Sequence, residues 1–168
     1  MNNTRVIVAS LTLSVAGFIG IMNSESFVPK AMIPTQGDRP TLGFGSTFHE
    51  DGTPVKMGET TTPARALVMA KAHISKDEAL FRKSLEGAYL NQEEFDVYMD
   101  WTYQFGTTNW LISGMRRNIL AGNYSKACDS LLMWKKAGGF DCSTPGNKRC
   151  AGVWTRQLER HKQCKAAQ

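Results

Sequence analysis

From Val6 to Met22 the chain runs VIVASLTLSVAGFIGIM, 17 residues without a charge. A membrane-spanning helix wants about 20 mainly apolar residues, and this run is diluted by Ser10, Thr12, Ser14, Gly17 and Gly20, so it predicts a short, weakly held membrane or export segment. Wound as a helix, Ser10, Ser14 and Gly17 make one small, mildly polar stripe, with the Val, Ile and Leu side chains on the other side. Beyond Met22 the pattern changes. Pro29 and Pro34 exclude a long regular helix. From Thr35 to Pro54, TQGDRPTLGFGSTFHEDGTP places Gly37, Gly43 and Gly45 close together ahead of an Asp51-Gly52 turn, which predicts short strands and hairpins. Thr62-Pro63 opens a helical period through Leu85, with Ala66, Leu67, Ala70, Ile74, Leu80 and Phe81 at apolar positions. Asn91, followed by Glu93-Glu94, is an N-cap with acid in the first turn, and it leads Phe95, Tyr98, Met99 and Tyr103 along one side. Further helices are expected over 110–121, 123–137 and 152–166, divided by Gly106, Gly122 and Gly138-Gly139. Together these elements predict an α+β fold, a small β-hairpin lobe and a larger helical lobe with a cleft between them.

Charge decides which way the apolar run points. Arg5 is the only charged side chain before Glu25, and no Lys or Arg follows until Lys30. That asymmetry predicts an N-terminus in the cytoplasm and the rest of the chain exported, residues 1–24 acting as the export segment and 25–168 as one catalytic domain. Ser14-Val15-Ala16 offers a cleavage pattern as the alternative to an uncleaved anchor. At 168 residues there is material for one domain with a real core. The exported body holds 19 basic and 15 acidic residues, so its net charge is +4 of the total +5 and its expected partner is anionic. Lys and Arg are spread thinly and Arg116-Arg117 is the only Arg pair, which argues against nucleic acid.

Cysteine usage agrees with export. Cys128, Cys142, Cys150 and Cys164 lie in the last 41 residues, an even number suited to disulfides in an oxidising compartment. Cys142 and Cys150 flank the turn-rich STPGNKR, while Cys128 and Cys164 fall in two expected helices, so Cys128–Cys164 with Cys142–Cys150 is the expected pairing. There is no CxxC, and His49, His73 and His161 lack ligand-like spacing to the cysteines, so no metal and no other cofactor is expected.

The candidate chemistry is a glutamate, Glu25, followed by the Gly-rich hairpin that carries Thr41. A glycosidase needs one carboxylic acid at the leaving oxygen and a second group that stabilises the oxocarbenium ion or positions water. Glu25, beside Phe27 and Val28 and with no cation before Lys30, suits the acid. Read as E-x5-A-x5-G-x3-T-x-G-F-G, residues Glu25, Ala31, Gly37, Thr41, Gly43, Phe44 and Gly45 resemble the active-site signature of the phage-type lysozymes, the muramidases used as endolysins. The resemblance continues through Gly58, Thr61-Thr62-Pro63, Ala66, Ala127-Cys128-Asp129, Trp134, Ala137-Gly138-Gly139, Gly152, Arg156 and Glu159. With its weakly apolar N-terminus the chain looks like the signal-anchor-release type of endolysin, held in the host inner membrane through residues 6–22 and then freed into the periplasm.

That resemblance implies a lysozyme-like fold and cleavage of the β-1,4 bond between N-acetylmuramic acid and N-acetylglucosamine in peptidoglycan, by a monomer that lyses the host cell. It implies Glu25 as general acid and Thr41 as the residue that positions water. At the place of the family's aspartate, counting from Glu25 gives Pro34 and counting back from Thr41 gives Thr35, neither of them a carboxylate. Asp38, at the hairpin turn, is the acid left to take that role, or else a turn residue after Gly37. Ser46 and Gln104 also replace usual family residues. Two alternatives follow from the missing aspartate: a lytic transglycosylase using Glu25 alone, and a non-catalytic membrane-tethered wall-binding protein.

Overall fold

The computed structural model describes residues 4–34 and 37–168. Along the chain run β1 (Val6–Ile7), α1 (Val15–Ser24), β2 (Val28–Met32), β3 (Thr41–Gly43), α2 (Pro63–Ser84), β4 (Tyr89–Leu90), α3 (Gln92–Phe105), α4 (Thr107–Ile112), α5 (Gly114–Leu120), α6 (Tyr124–Ser130), β5 (Lys136–Ala137), β6 (Phe140–Asp141) and α7 (Ala151–Ala166). This is an α+β fold, and the chain divides into two units, one made of residues up to Ser14 with Phe81–Gln168, the other of Val15–Leu80.

The helical unit is organised by α3. Asn91 caps it in both directions: its side chain accepts from the Glu94 N–H at 2.9 Å, and its own N–H donates to Glu94 Oε2 at 3.0 Å, a capping box. The apolar side of α3 buries Phe95, Tyr98, Met99 and Trp101. Phe81, Trp110, Phe105 and Trp134 join them in one aromatic cluster, with ring centroids 4.6–6.2 Å apart. The Trp110 indole N–H is satisfied by Ser84 Oγ at 2.8 Å. Two disulfides fasten the C-terminal part, Cys128 of α6 to Cys164 of α7, and Cys142 to Cys150 around a tight loop.

Along its polar side α3 meets α7 through a buried ion network. Arg160, 2% exposed, donates from Nε to Asp100 Oδ2 at 2.5 Å, from Nη1 to Gln104 Oε1 and Gln157 Oε1, and from Nη2 to the Asp100 carbonyl, while Arg156 Nη2 donates to Asp100 Oδ1. Burial pushes the Asp100 carboxyl up, but the charges and hydrogen bonds of Arg160 and Arg156 outweigh it and hold the group below the usual carboxylate range. A depressed folded-state value stabilises the fold above the unfolded value of about 4 and loses that contribution as pH falls through the lowered one. Asp100→Asn is therefore expected to melt below wild type at neutral pH, with the gap narrowing below about pH 4. Thermal unfolding of both proteins across pH checks it; a gap that widened in acid would contradict it.

Residues 5–14 belong to this unit. β1 pairs antiparallel with β4, Val6 opposite Leu90 and Ile7 opposite Tyr89. Val8, Leu11 and Leu13 are buried, and the Leu11 and Thr12 carbonyls accept from Arg82 and Gln92. Ser14 closes the segment, donating from its N–H and hydroxyl to Asp96. Arg5 lies across Tyr124 and donates twice to Glu94, at 2.8 and 3.0 Å. Glu94 is fully buried and also accepts from Gln168 at 2.8 Å.

Two helices differ from the sequence expectation. The 110–121 pattern breaks into α4 and α5 because Ser113 turns extended and its hydroxyl caps the Arg116 N–H. The 123–137 pattern ends as α6 at Ser130, followed by a single tight turn over Leu131–Met133. Gly138 and Gly139, both at positive φ, then form the turn of the β5–β6 hairpin, with Lys136 opposite Asp141 and Ala137 opposite Phe140. Trp134 continues the apolar period of α6, which is why the sequence alone reads onward as helix.

In the second unit α2 starts where Pro63 supplies a first-turn residue and the Thr62 hydroxyl accepts from the Arg65 N–H. β2 and β3 pair antiparallel, and Ala31, Leu42, Val55 and Met69 form a buried cluster.

Candidate active site

Glu25 stands at the junction of α1 and β2. Helix α1 ends at Ser24, and Glu25 donates its N–H to the Met22 carbonyl at 3.2 Å. Pro29 cannot continue a helix, so the chain leaves as a strand. The Glu25 side chain is half-buried, two residues ahead of Phe27, whose ring lies 5.5 Å from that of Phe44.

The hairpin partner brings Thr41 into the same small sheet. Val28 stands opposite Gly43 and Met32 opposite Thr41, three residues of β2 facing one of β3 in the interval, so β2 bulges between these pairs. Within this bulge the Ala31 N–H donates to the Glu59 carbonyl at 2.8 Å and the Pro29 carbonyl accepts from the Thr61 N–H at 2.9 Å. Thr41, half-buried, donates its hydroxyl to the Met32 carbonyl at 3.3 Å. With its proton so committed, the oxygen keeps lone pairs with which to accept from a bound water.

Gly43 explains why this turn is glycine-rich. It has φ +66°, and a Cβ there would lie 2.6 Å from the Ala66 Cβ of α2. Neither carbon can move without moving backbone, so only glycine lets β3 reach the helix.

Asp38 is exposed on the stretch leading into β3. Of the two positions that align with the family's aspartate, Pro34 is exposed before that stretch, and Thr35 lies outside the described residues.

Beyond β3 lies a further group of polar side chains. Ser46 is 2% exposed, bridges by backbone to Leu42, and its hydroxyl has no hydrogen-bond partner among the described residues. Glu50 pairs through Oε1 with Arg65 Nη1 at 2.5 Å, while its Oε2 is buried without a hydrogen bond among the described residues. His49 Nε2 contacts Glu59 Oε2 at 2.8 Å, tying the hairpin tip to the segment that flanks β2. In the sequence this group is marked by the His49-Glu50-Asp51 triplet before Gly52. Among the described residues no cluster of three or more His, Cys, Asp or Glu could hold a metal ion.

The family model for phage lysozyme matches residues 22–159. The chain is 30% identical over 128 residues to an endolysin of Salmonella phage P22, covering 76% of this chain and 86% of that protein. A solved endolysin from Escherichia coli O157:H7 phage FAHEc1 superposes with a TM-score of 0.75 at 25% identity, covering 92% of this chain and 94% of that one. A crystal structure of a P22 lysozyme mutant superposes with a TM-score of 0.74, also at 25% identity, covering 92% of this chain and 99% of that one.

Proposed function

Because the chain belongs to the phage lysozyme family, we propose that it is a phage endolysin in which Glu25 is the general acid that splits the β-1,4 bond between N-acetylmuramic acid and N-acetylglucosamine. As a lysozyme it is a glycoside hydrolase acting on peptidoglycan. The observation that supports the assignment is the pairing of β2, which begins three residues after Glu25, with β3, which begins at Thr41 and is pinned at Gly43 against α2. Glu25 protonates the glycosidic oxygen as the bond to the sugar carbon breaks. Thr41, its hydroxyl held by the Met32 carbonyl, positions the water that attacks that carbon. Asp38, the acid nearest in sequence to the family's aspartate position, receives the proton of that water. The protein acts as a monomer.

Purified protein added to outer-membrane-permeabilised cells tests the reading. Clearing of turbidity is expected; binding without clearing would instead make the chain a wall-binding protein.

The N-terminal segment has two uses in this proposal. Residues 6–22 hold the newly made protein in the host inner membrane, N-terminus in the cytoplasm and body outside, before release into the periplasm. No helix among the described residues is long and apolar enough to cross a membrane, so the membrane-held form is a different conformation of the same residues. In the folded form those residues are β1, the buried Val8, Leu11 and Leu13, and α1. They cannot lie in the bilayer and complete the fold at once, so release and assembly of the site around Glu25 are one event. Ala16 and Gly20 are exposed in the folded protein, and a Cβ at Gly20 would meet nothing within 4 Å. The Ala16→Leu/Gly20→Leu variant therefore keeps the released fold but binds the bilayer more strongly, and it is expected to remain in the membrane fraction and lyse cells late. Lysis at the normal time would contradict the gating.

A further inference from the structure

We propose that the hollow formed by β6 and the Cys142–Cys150 loop is a subsite for the carboxylates of the acidic peptide branches that peptidoglycan carries, an inference that rests on the hydrolase reading above. The hollow is shallow and open, about 580 Å³, lined among others by Phe140, Asp141, Pro145, Asn147, Lys148 and Arg149. Its shape is fixed by the chain itself. The disulfide closes the loop, Asn147 donates to the Asp141 carbonyl at 2.8 Å, and its side-chain oxygen accepts from the Arg149 and Cys150 N–H groups at 2.8 and 3.3 Å.

The charge of this loop is unbalanced. Residues 135–150 hold Lys135, Lys136, Lys148 and Arg149 against a single acid, Asp141. That acid is already committed: it accepts from the Ser143 hydroxyl at 2.6 Å and pairs with Lys135 at 3.0 Å, contacts that hold it down to about 2. Lys148 and Arg149 are exposed and have no carboxylate partner among the described residues. Arg149 is kept over the Phe140 ring, 4.6 Å from its centroid, which fixes its direction without neutralising it. Both cations lead straight into α7, whose first turn has no capping side chain and no acidic residue, so the positive end of its dipole adds to the same potential.

A rigid hollow with two uncompensated cations suits a carboxylate better than a lipid surface. Membrane patches present several projecting apolar side chains, whereas the one large apolar side chain lining this hollow, Phe140, has Arg149 over its ring. In intact peptidoglycan the lactyl group of the sugar is tied up in its amide bond to the peptide, so the carboxylates left for the pair to meet are those of the peptide.

The test is binding, so that it does not depend on turnover. Full-length Glu25→Gln protein is sedimented with purified peptidoglycan and with the same peptidoglycan after its carboxylates have been blocked as amides, with and without Lys148→Ala/Arg149→Ala. Removing the two cations is expected to weaken binding to untreated peptidoglycan roughly 3- to 10-fold, the size of two partly exposed charge contacts, and to leave binding to the amide-blocked polymer unaffected. Lys148→Gln/Arg149→Gln should behave alike, with melting unchanged in both. Equal loss on both polymers, or no loss on either, would overturn the subsite. So would cation-dependent binding to vesicles of phosphatidylglycerol and phosphatidylethanolamine in place of untreated peptidoglycan. Failure of the wild type to cut either polymer would count against the hydrolase reading alone, since carboxylate-dependent binding is measured separately.

Discussion

Replacing Glu25 by Gln is expected to lower cleavage of purified peptidoglycan by roughly 10²- to 10⁴-fold, the range over which a positioned proton donor acts. The amide keeps the size and shape of the side chain but cannot give a proton to the leaving oxygen. The fold should not notice the change. Glu25 is half-buried between the end of α1 and the start of β2, and the hydrogen bond from its backbone N–H to the Met22 carbonyl is independent of its side chain. Equal melting curves with a large loss of rate are the signature of an acid; a matching fall in both would make Glu25 structural. Full activity in the variant would sink the assignment.

The second large effect is on stability. Glu94 is completely buried, and its carboxylate accepts from Arg5, Gln168 and the Asn91 N–H. Glu94→Ala leaves those donors without their acceptor, the Arg5 cation and the first turn of α3 included, and removing one partner of such a pair costs about 3–5 kcal/mol. For a chain of this size that corresponds to a melting point lower by about 10 °C or more. Arg5→Ala leaves the buried carboxylate without its cation but keeps the capping box, so it should cost about 3 kcal/mol, the lower end of that range. Thermal unfolding of the two variants checks the order. If Arg5→Ala proved the more damaging, the strap and not the buried carboxylate would be the weak point.

The sequence spoke most clearly where structure is local. The start of α2 at Pro63 and the capping box at Asn91 are decided by residues within one turn, and both are visible as short patterns. Glu25 and Thr41 are proposed from the spacing of the motif around them, and the hairpin that this spacing predicted is present, with Met32 opposite Thr41. The Asp100 network was invisible, because its arginines lie 56 and 60 residues away and nothing local marks them as partners. The N-terminal run was legible as apolar but not in its second use. A stretch that buries Val8, Leu11 and Leu13 reads the same whether its surroundings are lipid or protein, and only Arg5, pointing at Glu94, reveals the docked alternative. The proposed second acid was the least legible part, since Asp38 sits on an exposed stretch whose position no periodicity constrains.

Mass spectrometry of the glycan fragments released from purified sacculi by the wild-type protein tests the central claim most directly. Hydrolysis with Glu25 as acid and a water positioned by Thr41 predicts fragments that end in N-acetylmuramic acid with a free reducing end. Fragments ending in 1,6-anhydro-N-acetylmuramic acid would show intramolecular attack by the sugar itself and contradict it.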